Sequence, residues 1–168
     1  ASIIAISPDA RFAATSAWQG SGVWLWDAQT GKFLKDIWPD AFSATCVFTA
    51  DSQAVLAGDS RRYRLIHIES ESSLWELPRR DASDASGWCA TSPDGRLLAV
   101  TPDNAAVHLF DAKTFRELAI LEQPDRSYDG AISFSPDAHW MARCSSQSVE
   151  LWNLKALHDR LKSLGLDW

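Results

Sequence analysis

The sequence predicts an all-β protein built from four copies of one antiparallel unit. The first observation behind this is a short apolar run that ends in an acid or amide and recurs along the chain. Its copies are Val23-Trp24-Leu25-Trp26-Asp27, Ile66-His67-Ile68-Glu69, His108-Leu109-Phe110-Asp111 and Glu150-Leu151-Trp152-Asn153. The bulky residue before the acid or amide falls at 26, 68, 110 and 152, a step of 42 each time. The second observation is a turn signature with nearly the same step: Ser7-Pro8-Asp9, Thr49-Ala50-Asp51, Ser92-Pro93-Asp94 and Ser135-Pro136-Asp137. Two markers held in one register over four units define a repeat architecture.

Each unit reads as short strands split by turn chemistry. In the first, residues 3–7 form an apolar run, and Pro8-Asp9-Ala10-Arg11 turns the chain. Proline presets the backbone of the turn and aspartate caps it through its side chain. Strands over 12–15, 23–26 and 32–38 follow, separated by the loop Gln19-Gly20-Ser21-Gly22 and the turn Ala28-Gln29-Thr30-Gly31. The second unit repeats this over 45–48, 54–57, 64–68 and 73–77, and the third over 88–91, 97–100, 107–110 and 116–121. Four strands per unit with no helical pattern between them is an antiparallel arrangement. The fourth unit departs after three strands, 131–134, 140–143 and 149–152. Leu154, Leu157, Leu161 and Leu164 then fall at spacings of three, four and three, one face of a short amphipathic helix. Asn153 can cap that helix and Gly165 can stop it. Within a single domain over 1–168, the units span about 1–40, 41–83, 84–126 and 127–153, with the helix at 154–165. The terminal Leu166-Asp167-Trp168 offers an aromatic anchor to pack back on the body.

Composition bounds the function. A hydrophobic share of 46% against 23% charged residues suits a globular chain with a sizeable core rather than a disordered one. The formal charge of -6 argues against nucleic acid, which needs a basic footprint. No apolar run approaches the roughly 18 residues of a membrane span, and Ala1-Ser2-Ile3-Ile4 does not open a signal peptide, so no membrane partner is expected. The only methionine is Met141, which reads as a processed or excerpted chain. Cys46, Cys89 and Cys144 form neither a disulfide framework nor a zinc site. Cys46 and Cys89 each stand five residues before a turn aspartate, where a small residue fills a buried strand position. That usage points to a reducing, cytoplasmic setting.

The Trp26-Asp27 and Phe110-Asp111 pairs, the Ser-Pro-Asp turns and the Val-x-Leu-aromatic strands resemble the WD40-repeat family of β-propellers over residues 1 to about 153. The likeness is to bacterial members, in which the turn Ser92-Pro93-Asp94-Gly95-Arg96 is common. The tail from Leu151 to Trp168 is similar to the C-terminal ends of large bacterial WD proteins. The resemblance implies four blades around an axis, the last with its outer strand replaced by a helix. Four blades are few for a closed ring of this family. The chain is therefore expected to be a partial propeller, completed by other blades of a longer chain, or half of an eight-bladed homodimeric ring. The family's Gly-His pair is absent, and His67, His108, His139 and His158 sit elsewhere in the register. The hydrogen-bonded set built on that histidine is not expected here.

No His-Glu-x-x-His, Gly-x-Ser-x-Gly, P-loop or Cys-x-x-Cys pattern is present. Gly58-Asp59-Ser60 falls in a loop of the repeat. His67 takes the place of Leu25, Leu109 and Leu151, and His108 that of Trp24, so both read as packed strand residues. Asp9, Asp51, Asp94 and Asp137 recur because each turn needs one. No catalytic residue, metal or cofactor is therefore expected. Two features fit a binding role. Trp18 sits on the loop between the second and third strands of the first unit, where an aromatic can anchor a partner. Arg61 and Arg62 enter the third strand of the second unit, and Arg79 and Arg80 leave its fourth. The resemblance implies that these loops open on one face, where the arginines suit an acidic peptide or a phosphate group. Asp59, Glu69, Glu71, Glu76, Asp81 and Asp84 lie in the same segment, so local ion pairing is the competing reading. The sequence thus points to a non-catalytic scaffold with a protein or peptide partner, or to a structural partial propeller. In either case Leu25, Leu109 and Leu151 are expected to be buried, and Trp26, Phe110 and Trp152 to pack between units.

Overall fold

A computed structural model describes residues 3–80, 86–103, 106–122, 130–144 and 148–166. Four antiparallel sheets follow one another along the chain. Blade 1 comprises β1 (Ile3–Ile6), β2 (Phe12–Ser16), β3 (Val23–Asp27) and β4 (Phe33–Asp36). Blade 2 comprises β5 (Thr45–Phe48), β6 (Ala54–Gly58), β7 (Arg62–His67) and β8 (Ser73–Pro78). Blade 3 comprises β9 (Cys89–Thr91), β10 (Leu97–Val100), β11 (Ala106–Asp111) and β12 (Glu117–Glu122). Blade 4 has β13 (Ile132–Phe134), β14 (Trp140–Cys144) and β15 (Val149–Asn153), followed by α1 (Leu154–Ser163). In each blade the strands pair in chain order, and β1, β5, β9 and β13 contact one another in succession. Repeated blades ranked in this way are the arrangement of a β-propeller.

Local chemistry sets each turn. Ser7 Oγ donates to Asp9 Oδ1 at 2.6 Å and accepts from the Phe12 N–H at 2.9 Å, while Asp9 Oδ1 accepts from the Arg11 N–H at 3.0 Å. Thr49 with Asp51, Ser92 with Asp94 and Ser135 with Asp137 repeat this bond. The turn needs a left-handed residue after the aspartate, which glycine supplies at Gly95 (φ 71°) and Ala10 and Ala138 supply at φ 58° and 57°. Asn153 Oδ1 caps α1 by accepting from the Ala156 N–H at 2.8 Å. Gly165, at φ 73°, ends the helix, with the Leu166 N–H on the Leu161 carbonyl and the Gly165 N–H on the Lys162 carbonyl.

The core lies between blades, because each strand alternates its side chains between two neighbours. Leu25 and Val23 of blade 1 share one cluster with Phe48, Val55 and Ile66 of blade 2. Leu56, Tyr63 and Leu65 of blade 2 share a second with Leu98, Val100 and Phe110 of blade 3. Val107 and Leu109 of blade 3 share a third with Met141, Trp152 and Leu154. Cys46 and Cys89 are buried in the first two, as expected, and burial pushes both thiols up to about 12. Among the described residues, the outer sides of blades 1 and 4 have no such neighbour. Ile4 and Ile6 on one, and Val149 and Leu151 on the other, are exposed, so the four blades form an arc with two open ends.

Five expectations change. The repeat position of Trp26 in blade 2 belongs to Ile66, not Ile68, because Asp27, His67 and Asp111 make the same turn bonds to Lys32, Ser72 and Arg116. His67 is therefore a half-buried turn residue at the aspartate position rather than a core residue. Leu151 is 65% exposed, because it faces away from blade 3 and no described residue of another blade packs on that side. Trp26 lies half-buried on the open side of blade 1, edge-on to Phe33 with ring centroids 5.3 Å apart, instead of between blades. Finally, α1 contacts β14, and its first turn sits beside Arg96, Leu97 and His139, so it covers the turn end of blades 3 and 4 and not the free edge of β15. The expected contact of Trp168 lies outside the described residues.

Candidate interaction surface

Backbone bonds tie five segments together at one end of the arc. The Ser43 N–H donates to the Gly20 carbonyl (2.9 Å), the Gly22 N–H to Ala41 (2.8 Å) and the Ser60 N–H to Phe42 (3.2 Å). The Arg79 N–H donates to Arg61 (2.8 Å) and the Arg80 N–H to Pro102 (2.7 Å). This continuous run places Trp18, Arg61, Arg62, Arg79 and Arg80 at a common end. Trp18 is 53% exposed, beside the left-handed Gln19. Arg61 and Arg80 are exposed and Arg62 is half-buried. Arg79 departs from the expected exposure: it is buried, with Nη1 donating to the Asp59 carbonyl at 3.3 Å, so it braces the loop from beneath.

Asp59 organises the cluster. Its fully buried carboxylate accepts from the Arg61 N–H (2.7 Å) and the Arg62 N–H (2.8 Å), and its second oxygen lies 3.3 Å from Arg61 Nη2. A carboxylate held by two amides and a guanidinium is a loop cap, which gives Asp59 of Gly58-Asp59-Ser60 a structural role. Asp40, largely exposed, pairs with Arg61 (3.4 Å) and Arg62 (3.6 Å); Glu76 pairs with Arg64 (2.8 Å) and Arg62 (3.8 Å); Asp103 pairs with Arg80 (3.8 Å). The guanidinium carbons of Arg62 and Arg64 lie 5.7 and 5.2 Å from the ring centre of Trp38, which is wholly buried. Cation–π contact and ion pairing therefore fix these side chains against a solid floor.

Sequence reasoning passed over Trp38, Asp40 and Phe42. They lie in the linker from blade 1 to blade 2, where Trp38-Pro39-Asp40 marks a turn, and Phe42 is exposed one bridge away from the Trp18 loop. His108 is buried as expected, with Nδ1 2.9 Å from Glu117 and Nε2 3.6 Å from Asp103. Tyr63 is buried too; its hydroxyl donates to the Thr101 carbonyl at 2.7 Å, and burial raises its pKa above the ordinary phenol value. Among the described residues, no three His, Cys, Asp or Glu side chains converge on a metal-sized point. Among the same residues, no helix is long and apolar enough to cross a membrane.

The arc of four blades with loops gathered at one end defines a propeller-type fold. No protein-family model and no curated protein matches the chain. Among solved structures it is similar to Kuenenia stuttgartiensis Hydrazine Synthase, with a TM-score of 0.74 over 92% of this chain and 18% sequence identity. This chain spans 46% of that one, and at such identity the likeness shows the fold alone.

Proposed function

We propose that the chain is a non-catalytic binding scaffold that takes an acidic protein or peptide segment on the loop end of blades 1 to 3. The observation that carries this is the placement of the exposed Arg61 and Arg80 and the half-buried Arg62 at the same end as the exposed Trp18 and Phe42. An aromatic anchor rimmed by arginines is the composition of an interaction hot spot. The resident carboxylate of Asp40 is itself largely exposed, so an incoming carboxylate exchanges one surface ion pair for another at little cost. The Ser-Pro-Asp turns and the aspartates after Trp26 and Phe110 support assignment to the WD40 class of bacterial type, and the two buried free thiols support a cytoplasmic setting.

The test is fluorescence anisotropy with a labelled acidic peptide containing one phenylalanine. Binding in the micromolar range is expected, weakening with added salt. The variants Trp18→Ala and Arg61→Glu/Arg62→Glu should each weaken it about tenfold or more, a loss of roughly 1.4 kcal/mol. Unchanged binding by the double arginine variant would remove the reading.

A further inference from the structure

A buried imidazole sits in the seam between blades 2 and 3. Val107 and Leu109 turn towards blade 4, so the alternation of β11 turns His108 towards blade 2. Its register position is that of Trp24 in blade 1 and Arg64 in blade 2, set by pairing with Val100, Thr15 and Ala57. All three residues meet a carboxylate of the fourth strand. Trp24 Nε1 lies 3.1 Å from Asp36 Oδ2, Arg64 Nε 2.8 Å from Glu76 Oε1 and His108 Nδ1 2.9 Å from Glu117 Oε2. An indole and a guanidinium only donate, and an ionised carboxylate only accepts. The neutral imidazole therefore keeps its proton on Nδ1, as the donor this position calls for, and leaves Nε2 bare.

The bare Nε2 faces Asp103 Oδ2 at 3.6 Å, inside ion-pair range but beyond a hydrogen bond. The same oxygen lies 3.8 Å from Nη1 of Arg80, and the Arg80 N–H donates to the Pro102 carbonyl at 2.7 Å, which fixes the two side chains as neighbours. Asp103 thus stands between a buried ring and an exposed guanidinium of the loop end. Among the described residues, the other titratable or charged groups in the core of this seam are Tyr63 and Arg79 of blade 2 and Cys89 on β9. Burial holds the Tyr63 phenol above its ordinary value and pushes the Cys89 thiol up to about 12. The arginines stay charged. Of the side-chain types gathered here, imidazole is the one that changes charge between about pH 5 and 8.

We propose that protonation of His108 strengthens the hold of the loop end on an acidic segment, an inference that rests on the binding role proposed above. A proton taken from solvent onto Nε2 gives the ring a second donor. The imidazolium then donates to Glu117 and pairs with Asp103 together. Asp103 no longer neutralises Arg80, whose guanidinium is left to a carboxylate of the partner. Binding and protonation favour each other, so each strengthens the other by the same factor. Neither Trp24 nor Arg64 can do this at the equivalent position, because neither changes its charge in this pH range.

The experiment is anisotropy with the same labelled acidic peptide at constant ionic strength, repeated across about pH 5.5 to 8.5, the range in which an imidazole titrates. The parent chain should bind about threefold more tightly at the acid end, the worth of one exposed ion pair. His108→Gln keeps a donor for Glu117 but has no second proton to gain. It should hold the parent's alkaline affinity at every pH, with an unchanged circular dichroism spectrum. Arg80→Gln, at an exposed position, should bind more weakly at the acid end and lose the pH dependence; it serves as the test alone if His108→Gln does not fold. A purely structural role for His108 would change affinity equally at every pH. Binding by the parent that is flat with pH, or pH dependence that survives in either variant, overturns the proposal and leaves the binding role standing. No binding at any pH removes that role and this control with it.

Discussion

Asp27 and Asp111 do the same work in blades 1 and 3. Asp27 Oδ1 accepts from the Thr30 N–H (2.7 Å), the Thr30 hydroxyl (2.8 Å) and the Gln29 N–H (3.0 Å), and Asp111 does so from Thr114 and Lys113. These bonds, led by the threonine N–H, hold both carboxyls below the ordinary aspartate value. A depressed folded pKa contributes stability that is present above the unfolded value, about 3.9, and is lost as pH falls through the folded value. The Asp27→Asn/Asp111→Asn variant should therefore melt below the parent at pH 7, and the gap should close as pH falls towards about 3. A gap in melting temperature that is constant with pH would show that charge is not what holds the turns. His67 occupies the same position in blade 2, where Nδ1 accepts from the Ser70 N–H at a longer 3.2 Å. Replacing this imidazole acceptor with a carboxylate strengthens the bond, so His67→Asp should add about 0.5–1 kcal/mol in urea denaturation.

At the scale of strands, one repeat position carries different energies according to what faces it. Leu109 is wholly buried against blade 4, whereas its counterpart Leu151 faces outward. Leu109→Ala should cost about 2–5 kcal/mol, and Leu151→Ala, measured in dilute solution, under about 1 kcal/mol. Equal costs would mean that the seam register is wrong. The strands themselves were legible because turn residues punctuate period-two apolar runs, and the chemistry of those turns is local. The register of blade 2 was not, because it depends on loop length. Six residues separate the paired Ser16 and Val23, but only four separate Gly58 and Tyr63, so a constant step of 42 overshoots to Ile68. At the loop end, the common placement of Trp18 and the arginines followed from strand order. The burial of Arg79 did not, because it depends on the Asp59 carbonyl twenty residues earlier. Neither did the exposure of Leu151, which lies on the side of blade 4 that faces away from blade 3.

Over the whole molecule, stability follows from counting seams. In a linear array of repeats each unit is held by its own fold and by nearest-neighbour contacts. Blades 2 and 3 have a packed seam on both sides, and blades 1 and 4 have one each. Amide exchange samples local opening, so its protection should reflect that difference. Amides of β6, β7, β10 and β11 should exchange slowest, while those of β2, β3, β14 and β15 exchange faster although they are equally paired within their sheets. Hydrogen–deuterium exchange read by mass spectrometry on peptides from each blade would show this gradient. Uniform protection across all four blades would mean that the arc folds as one cooperative unit and that its end faces cost it nothing.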